Sequence, residues 1–374
     1  MMKEIRQNTI NLLKERKELL EYKKVTIGID AFIDKIVRVV HGKDENQNYH
    51  FFTDIAQFGA HISSKSGMSC GIEICERFTK LGGNSPIMSN AMGSLGAKVN
   101  CVSALGYPDI DPIFKELSSN CSLYSIGNPG YTTALEFDDG KIMLSQRDYL
   151  NKINWKTLKD IIGLDTLKEF FNSSNLIGLV NWNGMLNFNE IYRGILEEIF
   201  KDTPTNKERI VFFDMADFSE RTHKDVNEAV KLINEFNNYS SVVFGLNENE
   251  AILLFKALFP HKEVPNLKEL GAYMYDNLKV DYLVIHTLTD SLAWSKEQFA
   301  QVPSLYVKKP KLSTGGGDNF NAGLCFGFLL NLDLEGALYT ANATSGYYVR
   351  NAKSPTLDDL IVTLENWDEL IETY

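Results

Sequence analysis

The sequence predicts an α/β fold: a mostly parallel sheet covered by helices, with a small separate sheet acting as a lid. Three observations carry this expectation. From residue 25 onward, short β-branched apolar runs alternate with helical patterns, as expected for strands buried on both faces. Two segments, 36–54 and 121–148, break the alternation with strand-like pattern and turn signals. The last third turns helical directly after three consecutive glycines.

A charged, helix-favouring segment, 1–24, opens the chain. Ile10, Leu12, Leu13, Leu19 and Leu20 give it an apolar stripe that should pack on the main body. Strands are expected at 25–29, 99–104, 176–180, 210–213, 242–244 and 282–285. Helices are expected at 87–95, 190–200, 224–236, 248–259 and 267–278, then over 318–350 with a break at Asn331-Leu332-Asp333. In the first lid segment Gly42-Lys43-Asp44-Glu45-Asn46 is turn-rich. In the second, Asp138-Asp139-Gly140 separates two strand patterns, a hairpin signal. The lid should lie over the C-terminal edge of the main sheet, where such folds bind ligands. One main unit is expected to span 1–374.

Composition narrows the function. Hydrophobic content of 44% and charge of 23% suit a soluble globular protein. A formal net charge of -11 argues against nucleic acid as a partner. No apolar run approaches a membrane span, so no membrane partner is expected. Five cysteines without a C-x-x-C imply neither a disulfide framework nor a zinc ribbon, but reduced and mostly buried thiols. The N-terminal segment lacks the apolar core of a secretory signal, and a cytoplasmic location is the expectation.

The chemistry concentrates at Ser313-Thr314-Gly315-Gly316-Gly317-Asp318-Asn319-Phe320. Phe320, Gly323, Leu324, Gly327 and Phe328 fall on one helical face, so the glycines open a helix. Bare amides and the positive end of the helix dipole make an anion site there. An aspartate at that mouth makes sense if it takes a proton from a hydroxyl that attacks phosphate. A glycine turn that merely starts a helix is the plain alternative, but three glycines are costly in chain entropy. No G-K-[ST] follows and no G-x-G-x-x-G is present, which excludes a Walker loop and a dinucleotide fingerprint.

Other candidates are open between two readings. Asn247 and Glu250 can form a capping box or an oxygen site for Mg²⁺. Asp30 and Asp34 can grip the hydroxyls of a polyol or be solvated loop acids. Gly82-Gly83-Asn84 lets a ligand approach the backbone, or makes a tight turn into a closely packed helix. Asp214, Asp217 and Arg221 follow a strand and line the same edge or cap a helix.

Taken together, these motifs resemble the ribokinase or PfkB family of sugar and nucleoside kinases, in the family's order, over about 25–352. The strongest match is STGGGDNFNAG, Ser313 to Gly323, against a family pattern D-T-x-G-A-G-D-x-F-x-x-G. The resemblance implies a ribokinase-like three-layer α/β/α domain with a β-sheet lid. It implies Asp318 as catalytic base, with the amides of Gly315, Gly316 and Gly317 as anion hole. It places Gly82 and Gly83 against the sugar, with Asn84 and with Asp34, or alternatively Asp30, in contact with it. Thr287, Thr314, Asn342 and Asn247 would meet the nucleotide, and Asn247 with Glu250 would serve Mg²⁺. ATP is the implied co-substrate.

The chain departs from the pattern at several positions. Leu312 stands where an Asp linked to a monovalent-cation site is usual, Gly316 replaces Ala, and Ile87 replaces Asn. Thr289 stands in place of Gly, and one extra residue separates Gly28 from Asp34. Extra length falls at the N-terminus and around 50–75 and 259–267. The expected function is an ATP-dependent kinase for a hydroxymethyl group of a sugar or related small molecule. A nucleoside or vitamin kinase, another phosphoryl donor, or a catalytically silent ligand sensor are the alternatives. Free lid edges admit a homodimer through the lid.

Overall fold

The computed structural model describes residues 2–372. Its strands are β1 (Lys24–Ile29), β2 (Phe32–Lys43), β3 (Tyr49–Phe51), β4 (Ile74–Gly82), β5 (Lys98–Ser103), β6 (Cys121–Ser125) and β7 (Gly130–Glu136). They continue as β8 (Lys141–Gln146), β9 (Leu176–Val180), β10 (Asn206–Asp214), β11 (Ser240–Asn247), β12 (Tyr282–His286), β13 (Asp290–Ser295) and β14 (Phe299–Pro303). Nine of them form one sheet in the order β14-β13-β12-β11-β10-β9-β1-β5-β6. From β12 to β6 every pairing is parallel, and β13 and β14 add an antiparallel end.

The strand sequences explain the layering. β9 is Leu-Ile-Gly-Leu-Val and wholly buried, with Ile177 and Leu179 in one core and Leu176 and Val180 in the other. β11 splits in the same way, with Val242, Phe244 and Leu246 on one face and Val243 on the other. Such two-faced apolar strands require helices on both sides. The helices Phe188–Ile195, His223–Phe236, Glu248–Leu258 and Leu267–Asn277 cover one face. Met2–Arg16, Asn84–Ser94, Gly316–Leu329 and Leu334–Asn351 cover the other. The first helix buries Ile10 and Leu13, and the following 3₁₀ turn buries Leu20, as the stripe predicts; Leu19 is exposed instead. Arg16 donates to the carbonyls of Leu330 and Asn331, so this element closes the break between the two C-terminal helices.

The lid is a second sheet, ordered β3-β2-β7-β8, with β4 also paired to β2. Only Asp30 and Ala31 separate β1 from β2. The predicted turns are present: Asp44 accepts from the amides of Asn46 and Asn48, and Asp138-Asp139-Gly140 joins β7 to β8. Two lid expectations need correction. Cys121–Ser125, read from sequence as lid, is β6, the edge of the large sheet, pairing parallel with β5. β4, not foreseen, is a full lid strand. Its two faces carry Ile74, Glu76, Phe78 and Lys80 against Cys75, Arg77, Thr79 and Leu81, so neither face shows apolar periodicity. The extra segment near 50–75 holds the helix Ile55–Ser64, which packs Phe58 with Phe52, Val37, Val39, Leu135 and Phe137 on the lid.

Of the five cysteines, Cys101 and Cys325 are buried and Cys70 is exposed, fewer buried thiols than expected. Among the described residues no helix is long and apolar enough to cross a membrane.

Candidate active site

The glycine run lies where β12, the loop after β14 and the two C-terminal helices converge. Gly315 is left-handed, at φ +95, and caps the helix Gly316–Leu329 without a side chain. A Cβ on Gly315 would sit 2.7 Å from the Tyr348 hydroxyl, so glycine is required there on two counts. The amide of Gly316 donates to the Ser313 carbonyl at 3.1 Å, which makes it a weaker donor for a ligand than its neighbours. Gly317 opens toward His286, with no atom closer than 3.7 Å to a notional Cβ.

Beside this run is a cavity of about 400 Å³. Gly316, Gly317, Asn247, His286, Thr287 and Asn342 are among its lining residues, with the segment Ser304–Val307 closing one side. Three of the four sequence-predicted nucleotide residues therefore share one cavity. Asn342 is fixed there by its donation to the Ser291 hydroxyl at 2.7 Å. Thr314 is the exception: it does not line this cavity. Its carbonyl accepts from the Tyr348 hydroxyl at 2.9 Å, and it borders a different depression, under the β7–β8 hairpin. Ser313 borders both. His286 stacks on Phe320 at 4.7 Å between ring centroids, and burial lowers its pKa to about 4, so the imidazole is neutral at physiological pH.

Across the glycine run lies an acidic floor. Asp318 is partly open to the cleft; burial and the charges of Asp214, Asp30 and Asp34 push its pKa well up, opposed by Lys80. Asp30 and Asp34, left as alternatives by the sequence, are both buried but differ in their partners. Asp30 is wholly buried and accepts from the amides of Asn84 and Ser85 and from Asn181 Nδ2, at 3.0, 2.9 and 2.7 Å. It is thereby committed to holding the start of the helix Asn84–Ser94; burial raises its pKa to about 6. Asp34 starts the lid on β2, opposite Lys80 on β4 and Thr132 on β7. A Cβ on Gly82 would lie 2.3 Å from an Asp34 oxygen, and one on Gly83, at φ +88, would meet Ala31, Asp30 and Phe32. The glycine pair thus lets β4 pass over both aspartates. Ile87, where the family pattern has Asn, is buried against Gly315.

Asn247 and Glu250 realise the capping box in full. Asn247 Oδ1 accepts from the Glu250 amide at 2.9 Å, and Glu250 accepts from the Asn247 amide and side chain at 2.8 and 2.7 Å. The same Glu250 is buried, and with Asp214, Asp217 and Asp318 nearby its pKa rises to about 8. Among the described residues no three His, Cys, Asp or Glu side chains converge as a metal cage. A buried, oxygen-only cluster of uncompensated carboxylates still fits Mg²⁺, which keeps several waters and takes one or two carboxylates plus substrate phosphates. Asp214 completes the floor, accepting from the Ala216 amide and from Asn321 Nδ2, with a pKa raised to about 6 by burial first. Asp217 and Arg221 do not cap the following helix; Thr222 does. Arg221 stacks over Trp182 at 4.1 Å.

Sequence reasoning missed Lys80, Asn181, His286 and Tyr348. Asn181 and His286 stand at or just after the C-terminal ends of β9 and β12, and that placement alone is a usable signal in a parallel sheet. Lys80 carried no signal because its strand carried none.

A sequence profile of the family described as prokaryotic ketohexokinase matches residues 5–367. A ketohexokinase of Haloferax volcanii is 27% identical over 339 residues, which cover 90% of this chain and 89% of that protein. Among solved structures, the ribokinase of Thermotoga maritima superposes with a TM-score of 0.60 at 15% identity, covering 92% of this chain and 100% of the other. The ribokinase of Arabidopsis thaliana, complexed with ribose and ATP, gives 0.62 at 14% identity, covering 92% and 98%.

Proposed function

The chain belongs to the prokaryotic ketohexokinase family, and from that premise we propose that it transfers the γ-phosphoryl group of ATP to a hydroxymethyl group of a ketohexose. The observation that carries this reading is the position of Asp318, at the head of the helix Gly316–Leu329, directly after Gly317 of the 400 Å³ cavity and within reach of the charges of Asp214, Asp30 and Asp34. ATP occupies the cavity, its base toward Asn342 and Thr287 and its phosphates toward Gly317. The ketohexose lies under the lid, against Asp34, Asn84 and the Gly82-Gly83 turn.

Asp318 accepts the hydroxyl proton as the oxygen attacks phosphorus. Burial and the neighbouring carboxylates raise the affinity of Asp318 for protons, the direction a general base needs. The Gly315 and Gly317 amides and the helix dipole balance charge on the transferred group. Glu250 and Asn247 would hold Mg²⁺ through water; the ion neutralises phosphate charge when bound. Asp30 acts at one remove, by fixing Asn84 beneath the sugar. Lid closure excludes water as a competing acceptor.

The test is ADP release by purified protein over a panel of ketohexoses, aldoses and nucleosides, with phosphorus NMR of the product. A ketohexose phosphomonoester at a primary carbon is expected. Asp318→Asn should lower kcat by about 10²-fold or more while ATP still binds. Nucleoside preference, ADP release independent of acceptor, or an active Asp318→Asn variant would refute the reading.

A further inference from the structure

The cleft just described is rich in carboxylates, yet the reaction brings a nucleotide triphosphate into it. The cations around it are mostly committed elsewhere. Lys141 pairs with Glu136 at 3.2 Å and Arg147 with Glu220 at 3.6 Å. Arg221 donates to the carbonyls of Met185 and Leu186, and Arg350 to those of Leu305, Gly346, Tyr306 and Leu370.

Lys80 differs. It is half-buried on β4, in register with Asp34 on β2, and among the described residues it makes no ion pair within 4.0 Å. Its Nζ has one long hydrogen bond, 3.4 Å to the carbonyl of Thr314, the residue immediately before the glycine run. An ammonium group has three donors, so two are unspent. Taking a cation out of water is costly; Asp34 and Asp318 offset that cost by charge from beyond ion-pair distance, which leaves the ammonium donors free for an incoming anion.

We propose that Lys80 is the catalytic cation of the transfer step, held on β4 beside the glycine run and donating to the phosphoryl group in flight. The proposal rests on the kinase reading above. In the step, the acceptor O–H proton passes to Asp318 and the acceptor oxygen bonds to γ-phosphorus. The bond from γ-phosphorus to the bridging oxygen breaks, and ADP leaves with that electron pair. Lys80 stays protonated throughout and lies beside the equatorial oxygens, where the charge is spread.

The same position gives Lys80 a second effect. The ionisable groups facing Asp318 are Asp30 at the end of β1, Asp34 on β2, Asp214 at the end of β10, Glu250 on the helix Glu248–Leu258, Tyr348 on the last long helix, and Lys80. Lys80 alone among them favours the ionised base. In register with Asp34 close to the start of the lid, Lys80 stays beside the base.

Wild-type, K80M and K80R proteins should be compared with a ketohexose and ATP across pH. K80M is expected to lose about 10²-fold in kcat, comparable with removing one oxyanion donor, with both KM values within about threefold. The acid limb of its kcat profile should move up by about one pH unit or more. K80R should keep the limb and recover much of the rate. If K80M melts early, K80Q, which keeps a donor for Thr314 without the charge, answers the same question. A variant with near-normal kcat, or one that raises only the acceptor KM with an unmoved acid limb, reduces Lys80 to a lid latch and overturns the proposal. A wild-type protein that transfers no phosphoryl group overturns the kinase reading as well, so the two failures are distinct.

Discussion

Asp214→Asn should stabilise the ligand-free protein, and only at neutral and alkaline pH. The carboxylate is buried and accepts from the Ala216 amide and from Asn321 Nδ2, but no cation pairs with it. Its pKa rises from 3.8 to about 6. That is a difference of roughly 2 units, or about 3 kcal/mol at 1.36 kcal/mol per unit. The folded state holds the proton more tightly than the unfolded chain, so this group costs nothing below pH 3.8. The penalty grows as pH rises and is complete above about 6.

Asparagine removes the charge without stranding the partners. Its Oδ1 can keep the Ala216 amide, and its Nδ2 can donate to Asn321 Oδ1, which is buried without a hydrogen-bond partner and becomes available if the Asn321 amide turns over. Urea unfolding at pH 8 should show a gain of up to about 3 kcal/mol for Asp214→Asn, vanishing near pH 4. A gain independent of pH, or destabilisation at pH 8, would refute the account of this carboxylate as an unpaired buried charge.

Two further outcomes follow from the same geometry. Gly82→Ala places a methyl group 2.3 Å from an Asp34 oxygen, so the carboxylate must move by about 1 Å. Steady-state kinetics should show a loss of about tenfold or more in kcat/KM for the sugar and an unchanged KM for ATP; an equal effect on both would place Asp34 away from the acceptor. Replacing potassium by tetramethylammonium should leave the rate unaltered. Leu312 offers no carboxylate, and the Thr314 carbonyl already accepts from Tyr348 and Lys80. Strong stimulation by potassium in initial-rate measurements would contradict this.

The central strands and the glycine-headed helix were legible because one physical constraint dominates each. β9 and β11 are apolar on both faces, and a triplet of glycines before an apolar helical face marks a helix start that must stay bare of side chains. The lid was legible at its hairpins, where turn residues speak for themselves, and illegible at β4, whose side chains are half-exposed on both faces. β6 misled because a half-buried edge strand with two serines reads like a lid strand. Asn247 and Glu250 show a different limit: one pair of side chains is at once a complete helix cap and part of the acidic floor, so neither reading from sequence excludes the other. Thr314 lies outside the cavity its neighbours line, because sequence spacing does not tell which side of a turn a residue borders.

The junction of only Asp30 and Ala31 between β1 and β2 makes the lid a lever with its fulcrum beside the proposed sugar site. At about 3.3 Å per residue, Asp34 is about 10 Å from Ala31 and the end of β2 about 40 Å away. A swing of roughly 10° therefore shifts Asp34 by under about 2 Å while the tip sweeps about 7 Å. The doorway can gape while the grip on the guest hardly loosens. Traffic through the entrance and recognition at the hinge are set by different lengths of the same strand.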